Sequence, residues 1–531
     1  MSLGGSSDPR KNWDKLKKYH CYWLAPLMNE TEIKKNKNSA SEVARDYQQR
    51  KLMETFVQKH TQPSTSDTFG TCGLGVRLCE VRSGPRFLLR SYSFLANHSF
   101  RLLQFHYADE SCTTPLYTLD ARGRLRLRGH SWLTPGATDA EYSLQRVTVT
   151  VHSVHVAERL AIRVNATCPG LVRRRWRPYR EYALFSTPEH NLSIKYQRRN
   201  AASSSAVDRR HLRLLFAEDV DCLGGLSVAF HELRLIRVQL RPPDPLDPRH
   251  SRHELLLGDV HSRPEQRDTY SPTAYQTALL RADKVHGCHI CNMVSVATER
   301  SPPHLNAKPP LPAYLGGTWA SPRCETRPLG LFLTRRMLFD PEERHWHAEY
   351  RFFADPVCSS GIFVASAWGT YEMPGGPVSA GRTEVNFHLQ HAALTVLDTS
   401  LARKLQDDAL CLTGGSWRVG IPRDLGPSLG CAPFGIAVTG VEYELVRVEV
   451  DIHGNPLLFL GQPDTDNRRR GPGDRPTAFQ PPLVQCKAPP LHSLPYAILD
   501  GSYSDVARLS PNWVFTLLAM YCVTPNLLGG S

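Results

Sequence analysis

From about residue 79 onward the chain is written in short alternations of apolar and polar residues. In RVTVTVH (146–152) Val147, Val149 and Val151 alternate with threonine and histidine. In HWHAEYRF (345–352) Trp346, Ala348, Tyr350 and Phe352 alternate with polar partners, and YELVRVEV (443–450) keeps the pattern in part. A period of two sends successive side chains to opposite faces of a strand. Glycine, proline, asparagine and aspartate interrupt these runs at short intervals, and long amphipathic helical patterns are scarce. The expected fold class is therefore all-β, mainly antiparallel. Residues 1–69 have a different texture, polar and lysine-rich. They carry one predicted helix, where Ser39 and Glu42 form a capping box and Val43, Tyr47, Leu52 and Phe56 share a face.

The strand-like texture occurs twice. HYADESCTTPLYTLDARG (106–123) aligns without a gap on FFADPVCSSGIFVASAWG (352–369). Upstream, CEVRSGPRFLLRSYSF (79–94) matches CETRPLGLFLTRRMLF (324–339). Downstream, CLGGLSVAFHELRLIRVQ from 222 matches CAPFGIAVTGVEYELVRVE from 431, LLLGD (255–259) matches LFLGQ (458–462), and SPTAYQ (271–276) matches RPTAFQ (475–480). A repeat of this extent is a whole domain. It divides the chain into a first copy at 70–298, a proline-rich linker at 299–313, a second copy at 314–488 and a tail at 489–531. The apolar run at 513–523 in that tail is too short for the roughly 20 residues of a membrane span. GGTWASPRC (316–324) near the start of the second copy has no tryptophan counterpart in GTCGLGVRLC of the first; if Trp319 belongs to the opening strand of its barrel, the first copy has lost or replaced that strand.

Each copy supplies cysteines in one order: Cys79, Cys112, Cys168, Cys222 and Cys288 or Cys291 in the first, Cys324, Cys358, Cys411, Cys431 and Cys486 in the second. A shared disulfide framework explains the order, with connectivity left open. Five per copy leaves one that pairs elsewhere, crosses between copies or stays free. The sequons at Asn97, Asn165 and Asn191, read beside these cysteines, favour an oxidising extracellular compartment. The first twenty or so residues contain no apolar run that would serve as a secretory signal.

Lys and Arg number 64 against 51 Asp and Glu, a formal charge of +13. Such a chain attracts polyanions, but RRRWRPYR (173–180) and RRR (468–470) stand in no zinc-finger, helix-turn-helix or RNP-like setting. A solvated basic face, or a patch that concentrates the protein near cell-surface polyanions, is thus preferred to nucleic-acid readout, which is set aside. Catalysis is also disfavoured. His231-Glu232 and His253-Glu254 begin like a zinc-protease motif, yet Leu235 and Leu257 stand where the second histidine belongs, and no nucleophile elbow, P-loop or dinucleotide fingerprint is present. No cofactor is called for, and HGCHIC (286–291) is read as disulfide chemistry in preference to a metal site. Asp109 and Asp355 recur in the duplicated motif and are read as turn residues, since each copy has its own.

The order CEVRSGP, RSYSF, LLGDVH, SPTAYQ, CHIC, RCETRP, FLTRR, GSWRVGI, LVQC resembles the adenomatosis polyposis coli down-regulated protein family over roughly Cys79 to Cys486. The resemblance implies two tandem related lipocalin-like β-barrel domains, disulfide-stabilised. It also implies a secreted or single-pass membrane glycoprotein that inhibits Wnt signalling by binding acylated Wnt ligands and their LDL-receptor-related co-receptor, with a barrel cavity for the fatty-acyl chain. The signal peptide and anchor of such proteins are not intact in this sequence. Tyr107, Tyr117, Trp346, Tyr350, Phe353, Phe363 and Trp368 are the candidate cavity residues. Core packing explains any one of them alone; the resemblance is what directs the set towards a cavity.

Overall fold

A computed structural model describes residues 67–487, apart from 71–78, 96, 173, 188–219, 227, 229, 242–251, 282–288, 308–310, 375–381, 408–410, 412–415, 452–453 and 466–470. The helix expected near 39–60, the Asn191 sequon, Cys288 and the apolar run at 513–523 lie outside the described residues.

Eight strands form a closed antiparallel circuit in each copy. In the first they are β1 (Asp67–Gly70), β2 (Arg86–Phe94), β3 (Ser99–Tyr107), β4 (Pro115–His130), β5 (Thr138–Val151), β6 (Leu235–Arg241), β7 (Arg252–Leu257) and β8 (Leu279–Arg281). β4 pairs with β5, β5 meets β6 at Thr138–Ile236, and β1 joins β8 to β2, which closes the ring. The second copy repeats this with β9 (Gly317–Ala320), β10 (Leu331–Asp340), β11 (His345–Phe353), β12 (Gly361–Glu372), β13 (Thr383–Val396), β14 (Val441–Val450), β15 (Pro456–Leu460) and β16 (Leu483–Lys487). There β9 bridges β10 and β16. Closure removes the open edges at which strands aggregate.

Of the two outcomes the Trp319 asymmetry leaves open, a lost or a replaced opening strand, this topology rules out the loss. Trp319 does lie in β9, and DTFG of β1 occupies the matching place, with Phe69 in register with Tyr92 as Trp319 is with Met337. The backbone ladder needs only a short extended segment there. The strand begins three residues before the boundary expected at 70. Nor is the proline-rich segment a free spacer: the Pro303 carbonyl accepts from Tyr107 at 2.7 Å and Leu305 is buried on the first barrel, while Leu315 is buried in the second.

One face of each strand fills a barrel with apolar side chains, among them Phe100, Leu102, Leu119, Val147 and Val149 in the first and Trp346, Ala348, Phe387 and Val446 in the second. A helix covers one mouth of each. α1 (Val154–Thr167) starts at Ser153, whose hydroxyl accepts from Val156 N–H, and buries Val156, Ala157, Leu160, Ala161 and Val164 as one stripe. α2 (His289–Val296) lies elsewhere, on the outer face of β3. α3 (Thr399–Asp407) follows Asp398, which accepts from Leu401 N–H at 2.7 Å, and buries Leu401, Ala402 and Leu405. The disulfides Cys168–Cys222 and Cys411–Cys431 tether the chain just after α1 and α3, and Cys79–Cys112 and Cys324–Cys358 close loops of 33 and 34 residues. Cys291 is disulfide-bonded, and Cys486, offered by the sequence as a disulfide candidate, is a free exposed thiol.

The two barrels contact each other through equivalent atoms. Gly84 N–H donates to Thr477 Oγ1 and Leu329 N–H to Thr273 Oγ1, both at 2.8 Å, and Ser262 and Thr465 exchange N–H to hydroxyl bonds at 3.0 and 3.3 Å. Reciprocal pairing of matched positions is the signature of a two-fold interface. Here it relates two halves of one chain.

Candidate functional site

Strand parity distributes the seven aromatic candidates between inside and outside. Trp346 and Tyr350 face the second interior, and Phe363 lies at its mouth beside Leu401 and Leu405. Tyr117 faces the first interior. The other three correct the expectation. Tyr107 lies on the outer face of β3, buried with Phe105 under Ile290 and Val294 of α2. Phe353, past a bulge at 352/353, falls on the outer side of β11 opposite Phe332. Trp368 is 37% exposed and stacks on His391, its cross-strand neighbour on the outside of β12 and β13. Being one residue out of phase is sufficient to reverse the facing.

The interior is not wholly apolar. On β2 and β3 the inward positions run Phe94, Tyr92, Arg90, Leu88 opposite Phe100, Leu102, Gln104, His106, so polarity enters towards the mouth. The centre of this polar end is Glu232, fully buried. It accepts from Arg82 Nη2 at 2.8 Å, Gln276 Nε2 at 2.6 Å, Arg90 Nη1 at 3.4 Å and the Tyr92 hydroxyl. Arg90 Nε also meets both oxygens of Glu80, at 3.0 and 2.9 Å. Burial opposes the Glu232 charge, but Arg82 and Arg90, with the hydrogen bonds from Gln276 and Tyr92, outweigh it and hold the carboxyl down at about 2.

The second barrel carries the matching set. Arg335 Nε donates to Glu325 at 2.9 Å, Arg327 Nη2 to Glu325 at 2.6 Å, and both guanidiniums to the Gln480 amide oxygen at 3.0 and 2.6 Å. Gln276 and Gln480 each donate onward to a glycine carbonyl, Gly258 and Gly461. A β-carbon at either glycine would stand 2.5 Å from a proline ring, Pro272 or Pro476, which is why LLLGD and LFLGQ both carry glycine there. The sequence held the signal: Glu80/Glu325, Arg82/Arg327, Arg90/Arg335 and Gln276/Gln480 are identical across the repeat. What it lacked was the facing of those residues. Glu232, set aside with an incomplete zinc motif, was missed as the hub.

Beyond the network, the mouth of the first barrel opens into a small recess lined by Arg82, Arg86, Leu88, Gln104, His106, Val228, Val260 and Arg267. His106 stacks on Tyr117 with ring centres 4.4 Å apart. Burial, then Arg86 and Arg82, push the His106 imidazole down to about 3. Burial and the same two arginines lower Arg267 to about 10, although its Nε and Nη2 donate to the His261 and Ser83 carbonyls, each at 3.1 Å.

The duplicated aspartates are turn residues, as read from the sequence. Asp109 accepts from the N–H groups of Ser111, Thr113 and Thr114, and Asp355 from those of Val357, Ser359 and Ser360. Burial disfavours each charge, yet these donors hold both carboxyls below the usual range. Asn97 is exposed on the β2–β3 turn and Asn165 on the outer side of α1. Among the described residues no group of three or more metal-ligating side chains converges, and no helix is long and apolar enough to cross a membrane.

A family model described as adenomatosis polyposis coli down-regulated 1 matches residues 75–306 and 307–490, one segment for each barrel. The chain belongs to that family. Its two matched segments divide where the second barrel's contacts begin to replace those of the first.

Proposed function

We propose that this family member is an extracellular, non-enzymatic inhibitor of Wnt signalling that binds Wnt ligand, its co-receptor or both, and takes the Wnt acyl chain into a β-barrel. The observation that carries this reading is the second barrel: a closed eight-stranded wall whose mouth gathers the aromatic side chains of Phe352, Phe363, Phe434 and Trp417 under α3. Aromatic and aliphatic walls suit a hydrocarbon chain, and each buried methylene contributes roughly 0.8 kcal/mol. Four disulfides among the described residues fit an oxidising compartment.

The test is binding of acylated against deacylated Wnt to the full chain, with Ala348→Phe and Ala121→Phe as fillers of the second and first interiors, where both alanines are buried. The reading expects tighter binding of the acylated form and loss of that preference in Ala348→Phe. Equal affinity for the two forms would remove the acyl mechanism and leave a lipid-independent adhesion scaffold.

A further inference from the structure

The recess at the mouth of the first barrel contains buried polar nitrogens that no described residue satisfies. Gln104 and His106 are 1% and 5% exposed, and Gln104 Nε2, His106 Nε2 and Arg82 Nε have no hydrogen-bond partner among the described residues. Buried polar atoms are rarely left so, and three on one small cavity point to a missing acceptor. The charge has the matching sign. Arg82 and Arg90 pair with Glu80 and Glu232, whereas Arg86 and Arg267 add two further guanidinium groups, with Glu265 reaching Arg267 from an exposed turn and Arg163 of α1 adding positive charge at Arg86. The surplus is cationic.

We infer that this recess is a binding site for an oxyanion, the head of a carboxylate, phosphate or sulfate, received by forked guanidinium groups and by the Gln104 and His106 nitrogens. Guanidiniums suit a planar or tetrahedral oxyanion because their N–H groups are set in a fixed fork. Leu88, Val228 and Val260 supply apolar walls beside these polar groups. The second barrel is an internal control. Leu331, Tyr350 and Phe352 stand where the first has Arg86, Gln104 and His106, so these three positions carry no cation or imidazole. The site is independent of the acyl reading, which concerns a neutral ester.

Calorimetric titration of the full chain, in a buffer free of other oxyanions, uses sodium phosphate, sulfate and acetate, then oleate against methyl oleate. The variants are Arg86→Leu with His106→Phe, which install the second barrel's residues, and Arg86→Lys, which keeps the charge and loses the fork. The expected result is binding of at least one anion, about tenfold weaker in the double variant and intermediate in Arg86→Lys. Binding of the inorganic ions or acetate identifies a free anion as the source. Binding of oleate alone, with methyl oleate rejected, identifies an amphiphile's head. Absence of binding by every anion, equal binding of oleate and its ester without any inorganic ion, or unchanged affinity in the variants overturns the inference. Should the double variant fail to fold by circular dichroism, Arg86→Lys and the acid–ester comparison decide.

Discussion

In the first barrel His106 stacks on Tyr117 with ring centres 4.4 Å apart and planes tilted by 16°; in the second Phe352 stacks on Phe363 at 4.3 Å and 16°. The two pairs occupy the same register positions of matched strands. Strand pairing alone therefore sets the geometry of the stack, and the chemistry placed on it is free to diverge. One mouth carries arginines, a glutamine and a neutral imidazole, the other leucine, tyrosine and phenylalanine. A duplicated framework has been given two different openings, a cationic one and an aromatic one.

The largest effect that tests this contrast comes from the networks beneath the mouths. Glu232→Ala leaves Arg82 and Arg90 buried beside Glu80 alone, so the first barrel should lose about 3–5 kcal/mol. Gln480→Ala removes an uncharged acceptor from the second and should cost about 1–3 kcal/mol. Denaturant unfolding of each variant measures the difference, and similar losses would mean that the two hubs are alike after all. The folded carboxyl of Glu232 lies below its ordinary value. Its contribution is therefore complete above the ordinary glutamate range and disappears as pH falls towards about 2.

Exchanging the stacked rings is the next test. Phe352→His places a polar ring in the aromatic mouth and should destabilise the second barrel by about 1–3 kcal/mol. His106→Phe should instead change a pH slope. The folded protein excludes a proton from His106 down to about pH 3, while the unfolded chain binds one below about 6.5. Stability in the wild type thus rises with pH across that window, and thermal unfolding of His106→Phe should show a shallower rise. An unchanged slope would place the titration elsewhere.

The smallest predicted difference concerns what the copies share. Asp109→Ala and Asp355→Ala each strand three backbone N–H donors on a partly exposed turn and should each cost about 1–2 kcal/mol at neutral pH, measured by thermal unfolding. Unequal losses would show that the turn is supported differently in the two barrels.

Much of this organisation could be read without coordinates. Period-two runs announced antiparallel strands, the repeat announced two domains, and the cysteine order announced a shared disulfide framework, because these features depend on residues close in sequence or recurring at fixed intervals. The opening strand of the first barrel escaped, since DTFG and GTWA share one residue and a ladder depends on backbone, not side chains. Tyr107, Phe353 and Trp368 were assigned to cavities from aromatic character, but facing is decided by register and bulges. Glu232 escaped for a related reason: its partners come from 142 and 150 residues upstream and 44 downstream.

By itself, then, the sequence determined the strand period, the duplication and the residues that both copies keep, Glu80, Arg82, Arg90 and Gln276 with their counterparts. Only the tertiary structure decided which side of the wall each residue faces and that those identical residues converge. Closing a twisted sheet into a ring brings distant strands against one another, and whether a side chain then meets solvent or the interior depends on parity around the whole circuit. That closure turned scattered arginines into one cationic mouth and left its duplicate aromatic.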